Sequence, residues 1–174
     1  VILAEVDQMI GKSEVKRAIK EIAFAVKNNV ERQERGLGNI QKSGVHIVLT
    51  GNPGTGKTTL ARKLGEILSS IGYLESGHVV EVDRSQMVSM YQGETPKLVD
   101  RLCNKAKGGI LFVDEAYAIA SDGSSFGQEA IDTLVKLIED YRGEIVVILA
   151  GYEKEMKDFL KANSGLESRF PLRI

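Results

Sequence analysis

Gly51-Asn52-Pro53-Gly54-Thr55-Gly56-Lys57-Thr58 fits the pattern G-x-x-x-x-G-K-[ST] at every fixed position. Each fixed residue type has a physical task. Glycines let a loop fold tightly enough for successive backbone N–H groups to point inward at phosphate oxygens. Lys57 adds a point charge for the β- and γ-phosphates, and the hydroxyl of Thr58 is placed to ligate Mg²⁺. The flanks agree. Val45-His46-Ile47-Val48-Leu49-Thr50 predicts a buried strand, and Leu60, Leu64, Ile67, Leu68 and Ile71 recur at helical spacing over residues 57–71. A bare glycine turn between strand and helix is the plain alternative, and the complete match weighs against it. The stretch implies binding of a nucleoside triphosphate.

Working outward, strands and helices alternate. His78 to Asp83 predicts a strand, and Thr95-Pro96 a helix start, with Thr95 capping and Pro96 in the first turn. That helix runs through Leu98, Leu102 and Ala106 to a stop at Gly108-Gly109. Ile110-Leu111-Phe112-Val113 is a continuous apolar run, expected of a central strand covered on both faces. Beyond Ser121-Asp122-Gly123-Ser124-Ser125, a helix places Ala130, Ile131, Leu134, Val135, Ile138 and Tyr141 on one side. Ile145 to Leu149 is the next buried strand, and Lys154 to Ala162 the last helix. Before all of these, Val15, Ala18, Ile19, Ile22, Ala23 and Val26 mark one face of a helical leading segment, with the charge run 31–35 as its solvated end. Such alternation implies a parallel sheet with right-handed crossovers.

Ile110-Leu111-Phe112-Val113-Asp114-Glu115 is the second chemical motif: an apolar strand carries an acidic pair to its C-terminal end, where ligands of open α/β sheets sit. Asp114 is placed to hold Mg²⁺ opposite Thr58. Glu115 is placed to orient and deprotonate the water that attacks the γ-phosphate. Alone, an acidic pair after a strand is equally a solvated loop or a helix cap. Together with residues 51–58, the catalytic reading is preferred.

Bulk properties narrow the setting. A chain of 174 residues predicts one domain with a full core, and 43% apolar with 27% charged residues is ordinary for a soluble globular protein. A formal net charge of −1 provides no general attraction for nucleic acid or an anionic membrane. Cys103 is the only cysteine, so no internal disulfide can form, and its neighbours Leu102 and Ala106 suggest a buried structural thiol. The longest apolar runs are strand-length, too short for a membrane helix, so a cytoplasmic setting without a membrane is expected. The chain starts at Val1 rather than Met and stops in the apolar run 170–174, which reads as a strand beginning and suggests a portion of a longer polypeptide.

With Gly165-Leu166-Glu167-Ser168-Arg169-Phe170-Pro171 downstream, the two motifs resemble the large ATP-binding subdomain of an AAA+ ATPase. More narrowly, Gly51 to Thr59, Gly109 to Tyr117, Gly127 to Ile131, and Leu149 to Tyr152 with Glu155-Met156 are similar to the group of red-type Rubisco activase CbbX and stage V sporulation protein K. The resemblance extends from Met9-Ile10-Gly11 to Pro171. It implies a three-layer αβα P-loop fold around a central parallel five-stranded sheet, with residues 1–174 forming the large subdomain, 1–44 a helical leading segment, and the C-terminal helical lid outside the chain. It implies ATP and Mg²⁺ as ligands, with Asn52, Pro53, Gly54, Thr55, Gly56, Lys57, Thr58 and Thr59 around the phosphates. Ile10 and Gly11 match the segment that contacts adenine, although a helix start packing on the core serves equally well. Arg169 matches the arginine finger that reaches the neighbouring subunit's γ-phosphate, which makes a ring, usually a hexamer, the active state; an ordinary surface arginine is the alternative. Ser89 to Glu94 resembles a pore loop in which Tyr91 grips an extended polypeptide, against a tyrosine packed under the loop. Residues 121–127, with Phe126, fall where a second pore loop would lie.

Two departures qualify the likeness. Tyr152 stands where many members carry the first sensor Asn or Thr, and the lid with its second sensor arginine is absent from the chain. The reading is an ATPase that remodels or threads a client protein. A nucleic-acid motor or clamp loader on the same core calls for basic channel loops, whereas Tyr91 sits among Met90, Gln92 and Glu94. A slow nucleotide-gated scaffold is the third alternative.

Overall fold

The computed structural model describes residues 17, 20–21, 23–24, 27–28, 31, 35–36, 46–51, 56–89, 91, 93–120, 125–170 and 172–173. Its strands are β1 (Ile47–Thr50), β2 (Val79–Val82), β3 (Ile110–Val113), β4 (Val146–Gly151) and β5 (Leu172–Arg173). They form one five-stranded sheet in the order β2-β3-β4-β1-β5, every pair parallel. The helices are α1 (Lys57–Ser70), α2 (Arg84–Met87), α3 (Thr95–Ala106), α4 (Ser125–Asp140), α5 (Glu153–Ala162) and α6 (Ser164–Arg169), with a 3-10 turn at Ala116–Ala120.

Alternation along the strands creates two cores, one per face. Ile47, Leu49, Ile110, Phe112, Val146, Ile148 and Ala150 meet Ala61, Leu64, Ile67 and Leu68 of α1. Val48, Leu111, Val113, Val147 and Leu149 meet side chains of α3, α4, α5 and α6. The central strands β3 and β4 are therefore buried at every position. This is the expected three-layer arrangement. Burial on both sides is why their sequence is a continuous apolar run instead of an alternating one. Cys103 is buried in the second core, and desolvation pushes its thiol up to about 12, so it behaves as a small apolar side chain.

Several boundaries differ from expectation for local reasons. Thr95 does not cap α3; it is the first helical residue and fully buried, accepting from the Ser89 N–H at 3.0 Å and donating to the Ser89 carbonyl at 3.3 Å. Asp83 ends no strand but caps α2 in a reciprocal pair with Gln86, whose N–H it accepts at 3.3 Å. The last helix is followed by a further one, α6, before β5. Of the leading segment, residues 17, 20–21, 23–24, 27–28 and 31 are helical, and Ala23 packs into the first core. Residues 35–36 form a turn, and the other residues of that segment lie outside the described ones. No helix among the described residues is long and apolar enough to cross a membrane.

His46, immediately before β1, ties the start of that strand to β4. Its buried Nδ1 accepts the Val147 N–H of β4 at 3.1 Å, and its ring meets that of Phe170 at 5.6 Å. Desolvation lowers its pKa to about 4; Glu139 opposes this, while Arg142 and Arg169 add to it. The imidazole is thus neutral in the folded chain and must charge on unfolding below its free pKa. Stability is complete above about pH 6.5 and is lost as pH falls towards 4. Urea unfolding should show about 2 kcal/mol lost through this group between about pH 7 and pH 5. His46→Asn should flatten the slope by that amount; an unchanged slope in the variant would remove this role.

Candidate functional site

β1 and β4 end together, Thr50 level with Gly151, and the ladder continues one step as the Gly51 N–H donates to the Gly151 carbonyl at 3.1 Å. Asn52, Pro53, Gly54 and Thr55 lie outside the described residues. The chain re-enters at Gly56 with φ 80° and ψ 25°, a left-handed conformation that suits glycine, as the N-cap of α1. The start of α1 has neither a side-chain cap nor an acidic residue in its first turn, and a Cβ on Gly56 would meet nothing within 4 Å. A helix N-terminus that no described side chain caps is suited to an anion.

Lys57 is the first residue of α1, and its side chain is only 11% exposed. Its ammonium donates to the Gly51 carbonyl at 3.1 Å and lies 3.8 Å from Asp114 Oδ1. The loop and the acidic pair, 57 positions apart in sequence at these two residues, are thus brought together. Asp114 follows β3 and remains half exposed; its Oδ1 also accepts the Glu115 N–H at 2.9 Å. Glu115 holds φ 49°, the one non-glycine residue in the left-handed region among those described. Its carbonyl accepts the Ala118 N–H at 2.8 Å, which starts the 3-10 turn. A strained conformation next to a strand end is characteristic of functional positions.

Thr58 is half buried as the next residue of α1, and Thr59 is exposed. A hydroxyl and a half-exposed carboxylate are hard oxygen donors suited to Mg²⁺, which keeps several waters and phosphate oxygens as its other ligands. Among the described residues no group of three or more His, Cys, Asp or Glu converges, so there is no all-protein metal cage there. The residues fit a magnesium–triphosphate complex.

Arg169 is not brought to this lysine. Its Nε donates to Glu139 at 3.0 Å and its Nη1 to the Gly165 carbonyl at 2.9 Å. The next residue, Phe170, packs its ring at a 43° tilt against His46 at the opposite end of β1. Tyr91 is 76% exposed, not packed under its loop. Its N–H donates to Ser89 Oγ at 3.1 Å, its carbonyl accepts the Glu94 N–H at 3.3 Å, and Gly93 turns at φ 78°. Met90 and Gln92 lie outside the described residues, as do Ile10, Gly11 and 121–124. Phe126 is half buried in the first turn of α4 rather than on a loop. Tyr117, which the sequence reading did not single out, joins the site by packing its ring 6.5 Å from that of Tyr152.

The pattern of the family described as "ATPase family associated with various cellular activities (AAA)" matches residues 47–174. The chain belongs to this family. It is 47% identical over 171 residues to stage V sporulation protein K of Bacillus subtilis, covering 98% of the chain and 53% of that protein. It is 43% identical to the ESX-3 secretion system protein EccA3 of Mycolicibacterium smegmatis, over 98% of the chain and 28% of that protein. It is 40% identical to the chloroplastic ribulose bisphosphate carboxylase/oxygenase activase of Cyanidioschyzon merolae, over 97% of the chain and 58% of that protein. The chain therefore spans about half the length of most curated relatives it matches, and the narrower group seen in the sequence is the one to which it is similar.

Proposed function

We propose that this chain is the ATP-hydrolysing unit of a ring-forming motor that remodels or threads a client protein. The observation that carries the reading is the Lys57 ammonium at the start of α1, poised between the Gly51 carbonyl and Asp114. Lys57 and the N–H groups of the loop, Asn52 to Thr59, bind the phosphates, and Ile10 and Gly11 lie against adenine. Thr58 and Asp114 hold Mg²⁺, which supplies charge neutralisation on the triphosphate when bound. Glu115 orients the attacking water and takes its proton.

Arg169 acts on the nucleotide of a neighbouring subunit. Its engagement with Glu139 at the far end of β1 supports a role outside its own site. The exposed Tyr91 ring grips an extended polypeptide, since ring packing does not depend on the sequence being pulled. The names of the relatives, which range over sporulation, secretion and Rubisco activation, favour a common engine applied to different protein clients. A nucleic-acid motor would want basic residues beside Tyr91, where Glu94 stands.

Glu115→Gln is expected to bind MgATP with parental affinity by calorimetry while turnover falls roughly 10²–10⁴-fold. Parental turnover in that variant would remove the assigned base. Arg169→Ala and Lys57→Ala subunits are each expected to be nearly inactive, the first by roughly 10³–10⁵-fold. Mixing them should restore activity in sites that pair an intact Lys57 with a neighbour's intact Arg169. No restoration, together with independent subunits, would sink the shared site. Unfolded polypeptide, not single-stranded DNA, should stimulate the intact protein; stimulation by DNA alone would reverse the choice of client.

A further inference from the structure

Tyr152 stands one residue beyond the Thr50–Gly151 pair, at the end of β4 and beside Gly51. The Lys57 ammonium lies 5.8 Å from the centroid of its ring. Three groups from three strand ends thus bound one charge: the Gly51 carbonyl at 3.1 Å, the Asp114 carboxylate at 3.8 Å, and this aromatic ring. The face of an aromatic ring carries negative electrostatic potential and attracts a cation at this range.

The ring is itself held. Its backbone is the N-cap of α5, φ −67° and ψ 143°, with the Met156 N–H donating to its carbonyl at 2.9 Å. Tyr117, on the turn after β3, packs against it at 6.5 Å with the planes tilted by 30°. Tyr117 can come so close to β4 only because residue 151 is glycine: a Cβ there would stand 2.7 Å from Tyr117 Cε1 and 3.0 Å from Met156 Cγ. Burial, followed by nearby Glu115, pushes the Tyr117 phenol up, so this backing ring stays neutral. Gly151, Tyr152 and Tyr117 form one packed unit behind the lysine.

We propose that Tyr152 is a positioning residue whose ring, backed by Tyr117, holds the Lys57 ammonium at the strand ends of Gly51 and Asp114 before nucleotide arrives. A long flexible side chain held in its working orientation loses less freedom when the triphosphate binds, which raises affinity. The proposal rests on the reading of Lys57 as the phosphate-binding lysine. It assigns the position of the usual first sensor to an aromatic wall for the lysine.

The test compares Tyr152→Leu with Tyr152→Phe in the intact protein, using two readouts. Competitive acylation followed by peptide mass spectrometry measures the accessibility of the Lys57 amine without nucleotide, with the exposed Lys154 and Lys161 of α5 as internal controls. Calorimetry measures the affinity for MgATP. Tyr152→Leu is expected to raise Lys57 labelling several-fold, leave the two controls unchanged, and weaken MgATP by about two- to thirty-fold, the range of a partly desolvated cation–π contact. Tyr152→Phe, which keeps the ring, should restore both quantities to near the parental values. Unchanged Lys57 labelling, unchanged affinity, or a general rise at all three lysines in Tyr152→Leu overturns the proposal. A parent that binds no MgATP overturns the nucleotide reading itself, and the proposal with it; a parent that binds while Tyr152→Leu binds equally well overturns the proposal alone.

Discussion

Val48 of β1 and Val113 of β3 both stand level with Leu149 of β4, and this shared register sets the positions of every group at the site. Gly51, Asp114 and Tyr152 leave adjacent strands within a few residues of the same height, so one lysine can reach all three. A slip of one residue in either pairing would turn each strand's side chains to the opposite face and break both cores. Burial on two sides fixes the register, and the register fixes the chemistry. The polar groups at the strand ends are carried by an apolar frame in which, among the described residues, the buried polar side chains are those of His46 and Thr95.

The Lys57–Asp114 pair illustrates how little the site itself holds the fold together. At 3.8 Å, with Asp114 half exposed, it belongs to the class of ion pairs that contribute about 0–1 kcal/mol. By contrast, fully burying one leucine or isoleucine of the sheet stabilises by about 1.5–3 kcal/mol. Substituting Asp114 is therefore expected to leave the scaffold intact. Glu115, kept at φ 49°, opposes stability locally, and β3 behind it absorbs that strain.

Much of this was legible in the sequence, and unevenly so. β3, β4 and α1 could be read because burial on both faces, or along one helical stripe, writes long regular patterns. The glycine–lysine motif and the acidic pair stood out because the chemistry proposed for them requires particular residue types at fixed spacing, and the structure brings Lys57 and Asp114 to 3.8 Å. The short helices α2 and α6 were not read, since four and six residues are too few for periodicity to emerge. A local signal did exist for α2: Asp83 with Gln86 three residues later is a capping-box pair. Thr95 looked like a cap by residue type alone, whereas its hydroxyl is used across a loop to Ser89, a non-adjacent contact that no window reveals. Tyr117 and Tyr152 meet across two strands for the same reason. Their pairing depends on the absence of a side chain at Gly151, and absence leaves no pattern.

The sheet's topology bears on Arg169 more firmly than its residue type does. β4 and β5 run parallel on either side of β1, so the connection between them must return the chain to the opposite end of the sheet. α5 and α6 make that return: it starts at Tyr152, at the strand ends where Lys57 sits, and finishes at Arg169 beside His46. β1 alone, four residues at about 3.3 Å each, places roughly 13 Å between the two ends. A residue that closes such a crossover is thus carried away from the phosphate loop of its own chain. This placement supports the proposal that Arg169 serves the nucleotide of a neighbouring subunit, and its bonds to Glu139 and the Gly165 carbonyl hold it at this end of the sheet.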